Sequence, residues 1–350
     1  MKALQVYTKS DESSLLSGTS KLRLGFMGLG YWGGVLAEAA LSSGCTVIVS
    51  CYSPSAKSRE LFARRFSCRA CTRPGEIFDD PEVEAVVIAT PNRCHAEQIA
   101  MAAEARKHVF VEKPIALELE GAVHVTRLCK QNQVVLAVGH QSRRHSGVRA
   151  MKELIRGGEL GRPVWVEANI SSDTGRFQDA HRWRAQPGEC PGGPLIQLGI
   201  HHIDTLRYLL GRIVRVCSLR ARVPLENGLD SGWAVLLDFE NGVLGALMSH
   251  YGSARACEVR VSGTEAVAVF DPLRGLEIRA DTRKAAQSRR IELTPGDPIA
   301  EQFIDFARSV RLGAPAEVGG EEATAALAVV LAAMQSFRER RPVAVRSPVE

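Results

Sequence analysis

The sequence predicts an α/β chain, with a doubly wound parallel sheet in its N-terminal part and an α+β domain on an open, predominantly antiparallel sheet after it. Three observations predict this. Continuously apolar strand-like runs alternate with helical stretches up to about residue 139, as parallel strands covered on both faces require. Beyond Arg162 strand-like runs dominate, and Glu240-Asn241-Gly242 between two of them is hairpin chemistry. At 350 residues the chain is too long for one comfortable core, so two domains are expected.

The elements follow in order. Leu22 to Met27 reads as a strand that runs into Gly28-Leu29-Gly30-Tyr31-Trp32-Gly33 and an alanine-rich helix reaching Ser43. Thr46 to Tyr52 is the next strand, with Ser53 or Ser55 placed to cap a helix over Ala56 to Phe66. Strands at Ala85 to Ala89, His108 to Val111 and Val134 to Gly139 enclose helices at His95 to Ala105 and Leu117 to Gln131. In the second half, strands are expected at Val164 to Ser171, Val214 to Arg222, Ala234 to Phe239, Val243 to His250, Glu258 to Val261 and Ala266 to Phe270. Helices at Ile299 to Val310 and Glu321 to Arg338 close the chain. The expected division is a leader at 1–20, a first domain at 21–139 and a second at 140–350.

Bulk composition excludes several classes. Hydrophobic content of 45% and charged content of 24% are those of a globular protein, neither disordered nor fibrous. The net charge of +5 is small and its basic residues are interleaved with acidic ones, so nucleic acid is not expected as a partner. The first twenty residues are polar and serine-rich, with Asp11 and Glu12, and read as a leader rather than a signal peptide. No window has the roughly 20 apolar residues that span a bilayer, so no membrane is expected. Nine scattered cysteines fit reduced thiols in a cytoplasmic protein. Cys68 and Cys71 form a CxxC without a second ligand pair, and no metal site is expected.

The glycine motif carries the first functional reading. A GxGxxG after a strand and opening a helix lets a pyrophosphate approach the backbone at the helix N-terminus, which makes this a Rossmann dinucleotide site. Gly28, Gly30, Tyr31, Trp32 and Gly33 would line it. An acid at the end of the second strand usually binds the adenosine ribose, yet no Asp or Glu occurs between Glu38 and Glu60. Ser53, Ser55, Lys57 and Arg59 stand there instead. Hydroxyls and a cation favour the 2′-phosphate of NADP(H), although the serines would equally serve as helix caps with NAD(H) bound.

Three further constellations sit between or beside the two halves. Thr90-Pro91-Asn92 with His95 follows the strand ending at Ala89, on the rim where cofactors bind, or else forms only a turn and a first-turn helix residue. Glu112-Lys113-Pro114 follows Val111, where a lysine can donate to a substrate oxygen and ease proton transfer. Gly192 to Asp204 opens a helix with His201 and His202. Adjacent helix positions point about 100° apart, so one histidine would be the base for an alcohol proton and the other structural. Arg176, Arg182 and Arg184 would greet an anionic substrate or are solvated surface arginines. An apolar face left on the antiparallel sheet would be covered by a second subunit.

Taken together these motifs resemble the Gfo/Idh/MocA family, named for glucose-fructose oxidoreductase and inositol dehydrogenase. The resemblance runs from about Lys21 through the glycine motif, Thr90-Pro91-Asn92, Glu112-Lys113-Pro114, Gly158-Glu159-Leu160-Gly161 and Gly199-Ile200-His201-His202-Ile203-Asp204. It implies a homodimer or homotetramer and NAD(P)-dependent hydride transfer on a hydroxyl or keto carbon of a sugar, cyclitol or sugar derivative. It also implies that Lys113 contacts the reacting hydroxyl and that His201 accepts the proton. Thr90, Asn92, His95, Glu112 and Lys113 would meet the cofactor, and His140, Arg144, Trp183, Arg184 and Gln197 the substrate. Position 197 often carries an aspartate in this pattern and here is Gln197, which hydrogen-bonds but takes no proton. An NAD-dependent glycosidase and a non-catalytic dinucleotide-sensing regulator are the alternative readings.

Overall fold

The computed structural model describes residues 20–179, 182–282 and 285–347. The expected leader lies outside them except for Ser20. Contacts divide the chain into two compact units. The first contains the described residues up to Gln141 together with Gly296–Thr324, and the second Ser142–Pro295 with the residues from Ala325 onward.

The first unit is a parallel sheet of β1 (Leu22–Met27), β2 (Thr46–Tyr52), β3 (Arg69–Ala70), β4 (Ala85–Ile88), β5 (His108–Val111) and β6 (Leu136–Val138). Their order, β3-β2-β1-β4-β5-β6, is that of the Rossmann fold, with the switch point beside β1. Helices α1 (Tyr31–Ser42), α2 (Ala56–Phe66), α3 (Gly75–Phe78), α4 (His95–Glu104) and α5 (Leu119–Gln131) connect the strands. The sequence reading omitted the short elements β3 and α3, which are too brief to show any periodicity.

The second unit begins with α6 (Ser146–Arg156) and β7 (Pro163–Ser171), followed by α7 (Ile200–Leu210). Then come β8 (Ile213–Arg220), β9 (Gly232–Phe239), β10 (Leu244–His250), β11 (Ala256–Gly263), β12 (Val267–Asp271), β13 (Gly275–Thr282) and β14 (Ala285–Ile291). With β15 (Val343–Ala344) they form a nine-stranded sheet in the order β14-β13-β12-β11-β7-β10-β9-β8-β15. Every pair is antiparallel except β7 with β10. The predominantly antiparallel sheet is therefore as expected, and the β13–β14 hairpin and α6 are additions to it.

Helices α8 (Pro298–Leu312) and α9 (Gly320–Glu339) come last. A single division near residue 139 assigns α8 to the second domain, but α8 packs into the first unit's core. Phe303 and Phe306 are fully buried there, and the Phe303 ring stacks on Phe110 of β5 at 4.7 Å. Asp297 caps α8 by accepting from Ile299 and Ala300 N–H, and Pro298 supplies its first turn.

On the second sheet one face is covered: α6 lies on β12 and β13, and the segment entering α7 lies on β7 and β10. Residues on the opposite face stay exposed, with Leu219 aligned with Ala234 and Met248 across three strands and Leu236 with Ala246 in the next row. All nine cysteines are free thiols, and among the described residues no cluster of His, Cys, Asp or Glu has the arrangement of a metal site. No helix among these residues is long and apolar enough to cross a membrane.

Candidate active site

The glycine turn of the first unit has the shape a dinucleotide needs. Gly28 has φ +88°, and a Cβ there would lie 2.4 Å from the carbonyl of Ala89. Gly33 packs its Cα against the Gly28 carbonyl, which a Cβ would approach to 2.1 Å. Gly30 differs from both, because a Cβ would meet nothing within 4 Å. Protein packing therefore does not require a glycine at 30, unlike at 28 and 33. Gly30 is also the N-cap of α1 and offers no side-chain oxygen to the first N–H groups, which leaves their dipole for an anion. Tyr31 is highly exposed, with its ring edge-on to Trp32 at 5.8 Å.

At the end of β2, Ser55 accepts from Ser58 N–H at 3.3 Å, so its hydroxyl caps α2. The Arg59 guanidinium donates to the carbonyls of Ser53 and Pro54 at 2.7 and 3.0 Å, bracing the loop from below. Lys57 is exposed and Ser53 half-buried.

His95 corrects the sequence expectation. It is fully buried with its Nδ1 2.7 Å from the Pro114 carbonyl and its Nε2 3.0 Å from the Thr90 carbonyl, so it has no surface with which to meet a cofactor. Burial holds its pKa below the ordinary histidine range despite these carbonyls. A neutral ring has one N–H, so it donates to one carbonyl at a time and ties the Thr90 turn to the Lys113-Pro114 turn. Thr90 donates its hydroxyl to Gln98 at 2.6 Å, and Asn92 is buried at the start of the next turn. Glu112 folds over Gly139, where a Cβ would come within 3.0 Å of its carboxylate. Lys113 is half-buried at the same strand end. His140 corrects its expectation in the same way: it is fully buried with its backbone N–H bound to the Val138 carbonyl, and it has no surface with which to meet a substrate.

In the second unit, Gly192 and Gly193 turn the chain through positive φ into Pro194 and a single π turn over Leu195–Gly199. Ile200 N–H reaches back five residues to the Leu195 carbonyl, and Ser249 holds the Pro194 carbonyl at 2.9 Å. π turns of this kind recur at functional sites. Gln197 sits on it and donates from Nε2 to the Arg184 carbonyl at 3.0 Å. The Arg184 guanidinium lies over the Trp183 ring at 4.7 Å. Arg176 and Arg182 are exposed, while Arg144 is buried.

His201 and His202 open α7, both more than nine-tenths buried. Burial drives the His202 pKa to about 4, with His145 adding to the shift, so this ring is a neutral packing group. Asp204, on the next turn of the same helix, takes a two-point ion pair from Arg143 at 2.8 and 2.5 Å. The Arg143 guanidinium also lies over Tyr208 at 5.2 Å. Reasoning from sequence missed Arg143. Asp204 was visible in the motif, but nothing local points to a partner 61 residues away.

Known proteins match this architecture in both parts. The oxidoreductase family's NAD-binding Rossmann fold matches residues 22–140, and its C-terminal alpha/beta domain matches residues 152–345. The chain belongs to the Gfo/Idh/MocA oxidoreductase family. This Gfo/Idh/MocA chain is 29% identical over 341 residues to scyllo-inositol 2-dehydrogenase (NAD(+)) of Bacillus subtilis strain 168, spanning 92% of this chain and 96% of the relative. It is 25% identical to the NADP(+) D-xylose 1-dehydrogenase of Haloarcula marismortui, spanning 86% of this chain and 87% of the relative. A solved oxidoreductase from Desulfitobacterium hafniense superposes with TM-score 0.88 at 32% identity, covering 93% of this chain and 98% of that one. Levoglucosan dehydrogenase in complex with NADH and L-sorbose shares the fold at TM-score 0.86 and 22% identity, with 94% and 100% covered. The Gfo/Idh/MocA chain is thus a nicotinamide-dependent oxidoreductase, in a family whose members include both NAD+ and NADP+ users.

Proposed function

We propose that this enzyme oxidises or reduces a CH–OH carbon of a sugar, cyclitol or sugar derivative. The observation that carries the reading is the joint presence of Lys113 at the end of β5 and His201 at the start of α7 in a chain of this family. The nicotinamide, when bound, accepts or returns the hydride. Lys113 donates a hydrogen bond to the substrate oxygen and favours its alkoxide character. His201 takes the hydroxyl proton on a ring nitrogen during oxidation and returns it during reduction. Gly28, Gly30 and Gly33 hold the pyrophosphate against the first turn of α1.

The residues after β2 support NADP(H). No carboxylate stands there to repel a 2′-phosphate, and the exposed Lys57 in the first turn of α2 and the Ser53 hydroxyl before that helix favour one. Ser55 is spoken for by its capping bond and contributes less. The exposed side chains of Leu219, Leu236, Leu244 and Met248 on the uncovered face of the second sheet support a homodimer or homotetramer formed through it.

The test is turnover with NADP+ and NAD+ on myo-inositol, scyllo-inositol, D-xylose and D-glucose. Lys113→Ala and His201→Ala should each lower kcat/KM at least about 100-fold with cofactor affinity retained. Unchanged turnover in both variants would sink the assignment. NADH binding much tighter than NADPH would overturn the cofactor preference alone.

A further inference from the structure

The turn formed by Trp183–Ala185 satisfies its own backbone only in part. Ala185 N–H bonds the Arg182 carbonyl at 2.9 Å and Gln186 N–H the Trp183 carbonyl at 3.0 Å. The Arg184 carbonyl is taken by a side chain 13 residues later, the amide of Gln197. Ala185 is buried beneath, while Trp183 and Arg184 keep partial exposure with cation over ring. The turn is therefore pinned at a backbone oxygen, and its two long side chains are left presented.

The chemistry of this pin is specific. The acceptor is a carbonyl oxygen, so the group at 197 must donate. An amide nitrogen does; an ionised carboxylate sets oxygen against oxygen and repels. The anchor for the donor is firm as well, because Gln197 rides on a π turn fixed by Gly193, Leu195 and Ser249. Its N–H bonds the Gly193 carbonyl at 3.1 Å.

We infer that Gln197 is a positioning residue that holds the Trp183–Arg184 turn in the form that receives substrate. The inference rests on the proposed function, with Trp183 and Arg184 taken as the substrate contacts that the family resemblance implies. A glutamine is required here for what it donates to the protein, and an aspartate or glutamate at 197 would unpin the turn while adding a charge.

Two readouts test it. Tryptic cleavage after Arg182 and Arg184 is followed in the intact protein without substrate, for wild type, Q197E and Q197M. Q197E keeps the length and loses the donor, and Q197M keeps the length without polarity. Cleavage should accelerate at least about fivefold in Q197E and less in Q197M, with the global melting temperature nearly unchanged. In parallel, KM for whichever of myo-inositol or D-xylose wild type oxidises should rise about tenfold or more in Q197E, with kcat changed less than threefold. Equal cleavage rates in all three proteins overturn the pin. Faster cleavage with unchanged KM overturns the link to substrate. Absence of turnover by wild type on myo-inositol, scyllo-inositol, D-xylose and D-glucose counts against the proposed function and leaves the cleavage result to decide the pin.

Discussion

The two units position their polar side chains in different ways. In the first, the groups after the second strand are held by neighbours close in sequence: Ser55 by Ser58, and Arg59 by Ser53 and Pro54. In the second, the holding contacts join distant segments, Arg143 to Asp204 and Gln197 to Arg184. A nucleotide site can be built from short loops because strand, turn and helix already aim the backbone at the phosphate. A substrate site on an open sheet has no such frame, and it depends on tethers that cross many residues.

The sharpest way to break this contrast is within the glycine loop itself. Gly28→Ala forces a Cβ onto the Ala89 backbone at a positive φ and should cost roughly 2–5 kcal/mol of stability, read by chemical denaturation. Gly30→Ala adds a methyl where nothing lies within 4 Å, so stability should stay within about 0.5 kcal/mol. NADPH affinity should nevertheless drop by about tenfold or more in fluorescence titration. If Gly30→Ala unfolds the protein, position 30 is a packing glycine and the ligand argument fails.

In the second unit, Asp204→Ala leaves the buried Arg143 guanidinium without its carboxylate and should cost about 3–5 kcal/mol. The same measurement on Arg143→Ala should give a similar loss, and the double variant should lose less than the sum of the two. Full additivity would show that the pair is not an energetic unit.

Acid should expose the burial of His202. His202 has a folded pKa of about 4, below its unfolded value near 6.5, so the unfolded chain binds the extra proton first. Stability should therefore be complete above about pH 6.5 and decline as pH falls toward 4, by about 3 kcal/mol from this group. A denaturation midpoint that stays flat over that window would place water or a counter-charge at His202. The smallest effect belongs to Ser55→Ala, which should remove about 1 kcal/mol through loss of its cap. NADPH affinity should change less in this variant than in Lys57→Ala.

How much of this was legible in the sequence follows the same division. The strand, turn and helix order to residue 139 was readable because parallel strands are continuously apolar and glycines mark the turn. The histidine pair was expected from helix geometry to divide into one working and one structural residue, and the depressed pKa of His202 makes that ring a neutral packing group. The role of His95 was misread, since nothing within its own turn shows that its ring reaches Pro114, 19 residues on. The π turn, the Arg143–Asp204 pair and the return of α8 to the first core were hidden for the same reason. Each depends on tertiary contact, and periodicity reports only the local chain.

The placement of α8 bears on how the protein is made. Five residues of α8, Phe303 and Phe306 among them, complete a core otherwise drawn from residues 22–137, so a nascent chain that has emerged only through β6 still exposes the apolar wall around Phe110. Domains generally consolidate as units during synthesis, and this one must wait until α8 has emerged. A ribosome-arrested chain ending near residue 140 should bind a holdase chaperone, whereas one that has also exposed Leu312 should release it.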